Sequence, residues 1–175
     1  SAMGVFRKDD LIAFVDLKSP RDPGYLISQI YQGQTEGYDS FKLDFSKVDT
    51  IFPNSAVPVS GLIEYYTNRG LDLDIVGTSD MVESTGILSP FEPENEEHLS
   101  TINILSKVLK FSSGNHVFWI VNAILREFER DDVFGSGVLH GLQWCINEAM
   151  DNVIQHSGQD CGYIMAQIHK STKHV

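Results

Sequence analysis

Two segments that alternate apolar and polar residues flank a helical segment, and this order constrains the fold more than any other feature of the sequence. Residues 41–45 (FKLDF) and 71–76 (LDLDIV) have the period of two that half-buried strands show. Between them, one helical face carries Val59, Leu62, Ile63 and Tyr66, and Gly70 stands where a helix is expected to end. The strand, helix, strand order predicts an α/β (α+β) layer structure.

Two further segments extend this pattern and place a domain boundary. Residues 11–17 (LIAFVDL) are apolar and precede the turn-forming residues SPRDPG, so they are predicted to form a strand. Residues 89–98 (SPFEPENEEH) are rich in proline and acid, which predicts an exposed loop between domains. We therefore predict a first domain over 4–95 and a second over 100–175.

The second domain is predicted to contain a strand at 107–111, a helix over 117–128, a second helix over 138–156 and a strand at 162–168. Gly158 is expected to stop the second helix. The apolar arc of that helix is predicted to consist of Leu142, Cys145, Ile146, Ala149 and Val153.

Glu148, Asn152 and His156 follow one another at a spacing of four, so they form a single polar stripe on the second helix. A carboxylate can deprotonate a nucleophile, while an amide oxygen one turn away, about 6 Å along the helix, can bind magnesium that also holds phosphate. We expect Glu148 and Asn152 to face a shared cavity floored by a β-sheet. The alternative is a solvated edge of a surface helix.

The segment 147–157 (NEAMDNVIQHS), with its strand, helix, helix, strand surroundings, resembles the N box of the GHKL ATPases, the superfamily of anti-sigma-factor serine kinases and histidine kinases. The resemblance implies an ATP and magnesium site in which Glu148 is the catalytic general base and Asn152 binds magnesium. Asp151 and His156 would support the bound nucleotide from nearby positions.

The later boxes of that family are not found in residues 158–175, which contain neither Asp-x-Gly-x-Gly nor a glycine-rich lid. The resemblance therefore covers the N-terminal half of a GHKL α/β sandwich, an incomplete domain. We expect the chain to be part of a longer protein and to bind ATP weakly or not at all by itself.

Residues 43–51 and 71–77, with the helix between them, resemble a STAS domain, the fold of anti-anti-sigma factors, which has a mixed sheet with helices. The family carries Asp-Ser-Ser-Gly, with a phosphorylatable serine, where this chain has residues 52–55 (FPNS). We expect Asn54 or Ser55 to be the N-cap of the following helix rather than a phosphorylation site.

Composition limits the partners of the chain. A formal charge of −11 repels phosphate backbones, which argues against nucleic acid. The sequence contains neither a signal peptide nor an apolar run of the roughly 20 residues that a membrane helix needs, so a cytoplasmic location is expected. Cys145 and Cys161 fit no zinc or disulfide pattern, and both are expected to be reduced packing residues.

The leading hypothesis is a cytoplasmic signalling protein in which a STAS-like module is joined to a GHKL-type module. In its full-length form it would be an ATP-dependent serine kinase or a partner-switching regulator with a regulatory protein partner. The alternative is a non-catalytic interaction module whose second half mediates docking or homodimerisation through an unpaired sheet edge. A flavodoxin-like binder ranks last, since no glycine-rich phosphate loop follows the first strand.

Overall fold

The computed structural model describes residues 3–131 and 134–169, apart from the side chain of Ser136, and the chain divides into two compact units, Ser1–Pro90 (unit 1) and Phe91–Val175 (unit 2). The α/β (α+β) class is confirmed by a mixed four-stranded sheet with helices. Unit 1 contains β1 (Val5–Lys8), β2 (Leu11–Phe14), α1 (Asp22–Thr35), β3 (Ser40–Asp44), α2 (Pro53–Asn68), β4 (Asp72–Gly77) and α3 (Asp80–Thr85). Unit 2 contains α4 (Glu96–Ser100), β5 (Leu109–Phe111), α5 (Gly114–Arg130), α6 (Ser136–His156) and β6 (Gly162–Ile164).

The sheet of unit 1 has the strand order β1-β2-β3-β4. β1 and β2 are antiparallel, whereas β2, β3 and β4 are mutually parallel. Asp9 forms the β1–β2 turn at φ 55°, a left-handed conformation that aspartate tolerates. Because α1 and α2 follow β2 and β3, the N-termini of both helices lie near the carboxyl edge of the parallel strands. A bridge between Leu17 and Ile51 ties the two connecting loops together at that edge.

Helix α1 was not predicted from the sequence, because Pro23 and Gly24 in its first turn have the composition of a loop. Proline is acceptable in a first turn, where its missing N–H would have no helical partner. Leu26, Ile30 and Gly33 then form the buried face of the helix. A Cβ on Gly33 would overlap the ring of Phe41, so β3 packs directly against the helix backbone.

Unit 2 pairs β5 with β6 antiparallel and packs α5 and α6 with them. The predicted elements are present with changed limits, and β6 ends at Ile164 instead of residue 168. The core is apolar throughout and includes Leu109, Phe111, Val117, Ile120, Val121, Ile124, Phe128, Leu139 and Met150.

The loop predicted over 89–98 is more structured than its composition indicates. Phe91 forms a bridge with Leu109, and its backbone N–H donates to the Val108 carbonyl. Pro93 is buried, and α4 begins at Glu96 with the Asn95 side chain as its N-cap. The units divide after Pro90, inside the predicted loop and five residues before the predicted end of the first domain at residue 95.

Within 3–131 and 134–169, the structure contains no helix that is both long enough and apolar enough to cross a membrane.

Candidate functional site

The predicted stripe of Glu148, Asn152 and His156 lies on the exposed side of α6. Glu148 comes nine residues after the buried Leu139, which is about two and a half turns at 3.6 residues per turn, so the two side chains leave the helix on opposite faces. Met150 is buried on the same side as Leu139. The packing of α6 against its own unit therefore turns the carboxylate and the amide to solvent.

The expectation that Glu148 and Asn152 face a shared cavity is wrong for the part of the chain described here. Two cavities of unit 2 lie beside Phe128 and Leu142 and beside Leu99 and Ala123, and neither is lined by Glu148 or Asn152. The physical reason is that α6 packs against α5 and β6, with Leu142, Ile146 and Val153 turned to the core. The opposite face has no described wall that would form a concavity over the stripe.

The remaining residues of α6 refine the predicted apolar arc. Leu142, Ile146 and Val153 pack against the core as predicted, whereas Cys145 and Ala149 are exposed. Cys145 is therefore not a packing residue, because its side chain is exposed on the solvent-facing side of the helix. Trp144 has 66% of its surface exposed. Asp151 is partly exposed at the side of the helix.

No group of three or more His, Cys, Asp or Glu side chains that could hold a metal ion occurs within the described residues. The proposed role of Asn152 as a magnesium ligand therefore has no ready cluster of carboxylates beside it. In the resemblance stated above, the phosphate oxygens of the nucleotide would supply the other ligands.

A second polar site, which the sequence analysis missed, lies in unit 1 and consists of Ser55 and Asp22. Both side chains are buried, and the Ser55 hydroxyl donates a hydrogen bond to Asp22 Oδ2 at 2.7 Å. The backbone N–H of Ser19 donates to the same oxygen at 3.0 Å. The first turns of α1 and α2 are thus linked through one carboxylate.

This geometry corrects the predicted N-cap. The N-cap of α2 is Phe52, which makes no side-chain capping bond, while Asn54 and Ser55 lie inside the first turn. Pro53 begins the helix at a position where its fixed φ is favourable, and Ser55 turns inward to Asp22. The Ser55 hydroxyl is therefore inaccessible to a modifying enzyme in this conformation.

Asp44, at the end of β3, is a further carboxylate at the carboxyl edge. Its Oδ1 accepts a hydrogen bond from the Ser46 backbone N–H at 2.9 Å. Hydrogen bonds from the Ser46 hydroxyl and backbone lower the pKa of Asp44, because they stabilise the charged form. Gly77 lies so close that an added Cβ would overlap Asp44 Oδ1.

In comparisons with known proteins, no protein-family model, no curated protein and no solved structure matches the chain.

Proposed function

We propose that this chain belongs to a cytoplasmic signalling protein that joins a STAS-like module to the first half of a GHKL-type ATP-binding module. In the longer protein, ATP and magnesium would bind at the second module, with Glu148 as general base and Asn152 as magnesium ligand. The protein would act as an ATP-dependent serine kinase or a partner-switching regulator. The chain of 175 residues alone would bind nucleotide weakly or not at all.

The observation that supports the nucleotide site best is the placement of Glu148 and Asn152 one turn apart on a single accessible face of α6. The opposite face of the helix packs against α5 and β6. A base and a metal ligand fixed on one rigid helix can reach the same phosphoryl group only if that face remains open to the ligand. The exposure of the stripe leaves the face open, but a solvated edge of a surface helix would show the same exposure, so the variants below are needed to distinguish the two.

Unit 1 supports the first half of the proposal through its layout. Three parallel strands are extended by an antiparallel β1, and the helix α2 follows β3 with Ser55 in its first turn. This is the strand, turn, helix arrangement on which the STAS resemblance depends. A tethered pair of modules would meet at a high effective concentration, which favours regulation within one molecule.

The first prediction tests the metal role of Asn152. In a natural longer chain that continues past Val175, magnesium with ATP should raise the melting temperature above that with magnesium alone. Asn152→Ala should abolish this increase, because the amide oxygen that would bind magnesium is lost. Differential scanning calorimetry measures the effect.

Gln155→Ala is the matched control, because it removes an exposed amide from the same helix outside the stripe. It should leave the protection by ATP unchanged. Equal protection in wild type and Asn152→Ala would reject the metal role, and absence of protection in a chain containing the later boxes would reject the nucleotide site itself.

A non-catalytic interaction module is the second candidate, and the exposed apolar surface of α6 favours it. Trp144 is 66% exposed and Val138 57% exposed, with Cys145 and Ala149 nearby on the solvent side of the helix. Exposed tryptophan is a common anchor of protein interfaces. This face could bind a second copy of the chain or a regulatory partner.

The second prediction tests the non-catalytic interaction module. If the α6 face mediates homodimerisation, sedimentation velocity should show a concentration-dependent dimer of the chain, and Trp144→Ala should shift it toward monomer by tenfold or more in dissociation constant, about 1.4 kcal/mol. Phe118→Ala, which removes an exposed aromatic residue from α5, is the control. A monomer at all concentrations would contradict homodimerisation.

A further inference from the structure

Strand β4 is an edge strand of the unit 1 sheet, and among the described residues it pairs with β3 alone. The Lys42 N–H donates to the Asp10 carbonyl on the side of β2, so the backbone groups of the next residue, Leu43, point toward β4. In a parallel pair these groups bond to the residues on either side of their partner, which is Ile75. The N–H and C=O of Ile75 therefore point away from β3, toward the unpaired edge.

The exposed edge of β4 is suited to pairing with another chain. Ile75 and Val76 are exposed, and the strand, DLDIVG, contains neither proline nor lysine, two residues that commonly protect sheet edges. Unpaired backbone groups beside exposed apolar side chains are a template for an added strand. The remaining side chains of β4 and its surroundings restrict which segment can pair there.

The two faces of β4 differ in chemistry, because successive side chains of a strand point to opposite faces of the sheet. Leu73 and Ile75 lie on the face of the sheet that α2 covers, where they line a cavity together with Ile63 of that helix. Asp72 and Asp74 lie on the opposite face, and both are exposed. A strand added beside β4 would therefore meet an apolar surface on one face and carboxylates on the other.

Two adjoining cavities, of about 290 and 350 Å³, lie beside β4 on its apolar face. Leu73 lines the first cavity and Val82 of α3 lines the second, while Ile75 and Leu88 line both. The walls of both cavities are mainly apolar. They can accept apolar side chains from alternate positions of an added strand, which would all point to this face. We call the two cavities together with the exposed edge of β4 the β4 groove.

The wall of the groove opposite β4 is fixed to α2. The Ser60 hydroxyl donates a hydrogen bond to the Ile87 carbonyl oxygen at 2.6 Å, and both residues are buried. This bond anchors the segment that carries Leu88 and Pro90, which line the groove. A groove with anchored walls binds a partner without the cost of ordering them first.

The charges around the groove favour a basic partner. Glu64 lines the first cavity and Glu83 the second, and neither lysine nor arginine is among the described residues that line them. Asp72 and Asp74 add two carboxylates at the edge itself. A second copy of β4 would bring two further aspartates to the same edge, and like charges on adjacent strands are destabilising. A strand that carries lysine or arginine would instead pair with these carboxylates.

Lys42 does not cancel this charge. It is the register partner of Asp74 on β3, but its ammonium lies 3.6 Å from Asp10 Oδ2. The carboxylates of the edge strand therefore remain available to a cation from another chain.

We propose that the β4 groove binds an extended segment of a partner protein, which pairs with β4 as an added strand. The segment has apolar side chains at alternate positions, which enter the two cavities, and lysine or arginine between them, which face Asp72 and Asp74. In this mode the main-chain hydrogen bonds give affinity and the pockets for alternate side chains give specificity. The groove lies wholly within unit 1 and does not depend on the nucleotide site proposed on α6.

The probe is the fluorescein-labelled peptide KVKVKVK, in which lysine and valine alternate. Fluorescence anisotropy at low ionic strength should show saturable binding of one peptide per chain. The peptide KKVVVKK has the same composition and charge without the alternation, so it should bind about tenfold more weakly.

Two N-methylated forms of the probe test the backbone pairing on the wild-type chain. One form is methylated on its valines and the other on its lysines. In an added strand only one of these two sets of N–H groups faces β4, because backbone groups alternate in direction along a strand. One form should therefore lose about tenfold or more in affinity, and the other should stay close to the unmethylated probe.

The double variant Asp72→Asn/Asp74→Asn tests the location of the peptide. Its affinity for KVKVKVK should fall about fivefold, because two exposed ion pairs are lost. Asp9→Asn/Glu129→Gln is the matched control, since it removes the same charge from two exposed residues outside the groove. It should keep the wild-type affinity within a factor of about two. Circular dichroism shows whether each variant is folded.

Four results would overturn the proposal. Absence of saturable binding would remove the site. Equal binding of KVKVKVK and KKVVVKK, or of the two N-methylated forms, would show attraction to an acidic surface without strand pairing. Unchanged affinity in Asp72→Asn/Asp74→Asn would place the peptide elsewhere. A dimer in sedimentation velocity that this variant strengthens would assign the edge to a second copy. Because no titration contains nucleotide, failure here leaves the ATP site untouched.

Discussion

Ser55→Asp is expected to lower the free energy of unfolding of unit 1 by about 3–5 kcal/mol, the usual effect of leaving a charge buried without compensation. The serine is fully buried, and its hydroxyl donates to Asp22. Aspartate would replace this donor with a second carboxylate beside the first, in a place that water does not reach. The measurement is a urea titration followed by far-ultraviolet circular dichroism.

Asn54→Asp is the matched control, because it introduces the same charge one residue earlier, at an exposed position in the same turn of α2. Negative charge near a helix N-terminus stabilises by about 0.3–1 kcal/mol, so this variant should be neutral or slightly more stable. The free energy of unfolding of Ser55→Ala should lie between those of the two aspartate variants, because the missing hydrogen bond costs about 1–3 kcal/mol. Similar stabilities for Ser55→Asp and Asn54→Asp would show that the Ser55 side chain is not buried against Asp22.

Phe111→Ala should destabilise unit 2 by about 3–5 kcal/mol, since removing a buried aromatic ring leaves a cavity in addition to the lost apolar burial. Phe111 is 2% exposed on β5, and its ring lies against Gly162 of β6 so closely that a Cβ on that glycine would overlap it. The same added Cβ would stand 2.8 Å from Val153 Cγ1 of α6. The ring therefore fills the place where β5, β6 and α6 meet.

Tryptophan fluorescence during urea denaturation measures this effect, because both tryptophans of the chain, Trp119 and Trp144, belong to unit 2. Phe118→Ala is the control: Phe118 is 59% exposed on α5, so the same truncation should change stability by no more than about 0.5 kcal/mol. An equal loss in the two variants would contradict the packing described for Phe111. A chain with two units need not unfold in one step, so the two spectroscopic signals are fitted separately.

The sequence predicted those elements whose apolar residues repeat at a regular period. The strand predicted at 41–45 and the helix predicted after it correspond to β3 and α2. Helix α1 was missed for a definite reason: one of its closest contacts with the sheet is made by Gly33 against Phe41, and a glycine adds nothing to an apolar pattern. Proline and glycine in the first turn then favoured a loop over a helix.

Prediction from the sequence had a similar limit at the candidate sites. A spacing of four placed Glu148 and Asn152 on one stripe, but local periodicity does not reveal what stands opposite a helix, so the cavity was wrongly expected. The partner of Ser55 is 33 residues away in sequence. Asp22 meets it only because β2 and β3 are adjacent and parallel, which brings the starts of α1 and α2 together. Such a pair depends on the register of a sheet, and no short motif encodes it.

The concealment of the Ser55 hydroxyl has a kinetic consequence. Any reagent or enzyme that reacts with it must wait until the first turn of α2 separates from Asp22, so the reaction samples only the small open population. When reclosing is faster than reaction, the observed rate is the opening equilibrium constant multiplied by the rate for the open form. Each 1.4 kcal/mol that holds this turn closed would then slow the reaction tenfold. Any ligand that binds selectively to the closed conformation of this edge would therefore slow chemistry at Ser55 without touching it.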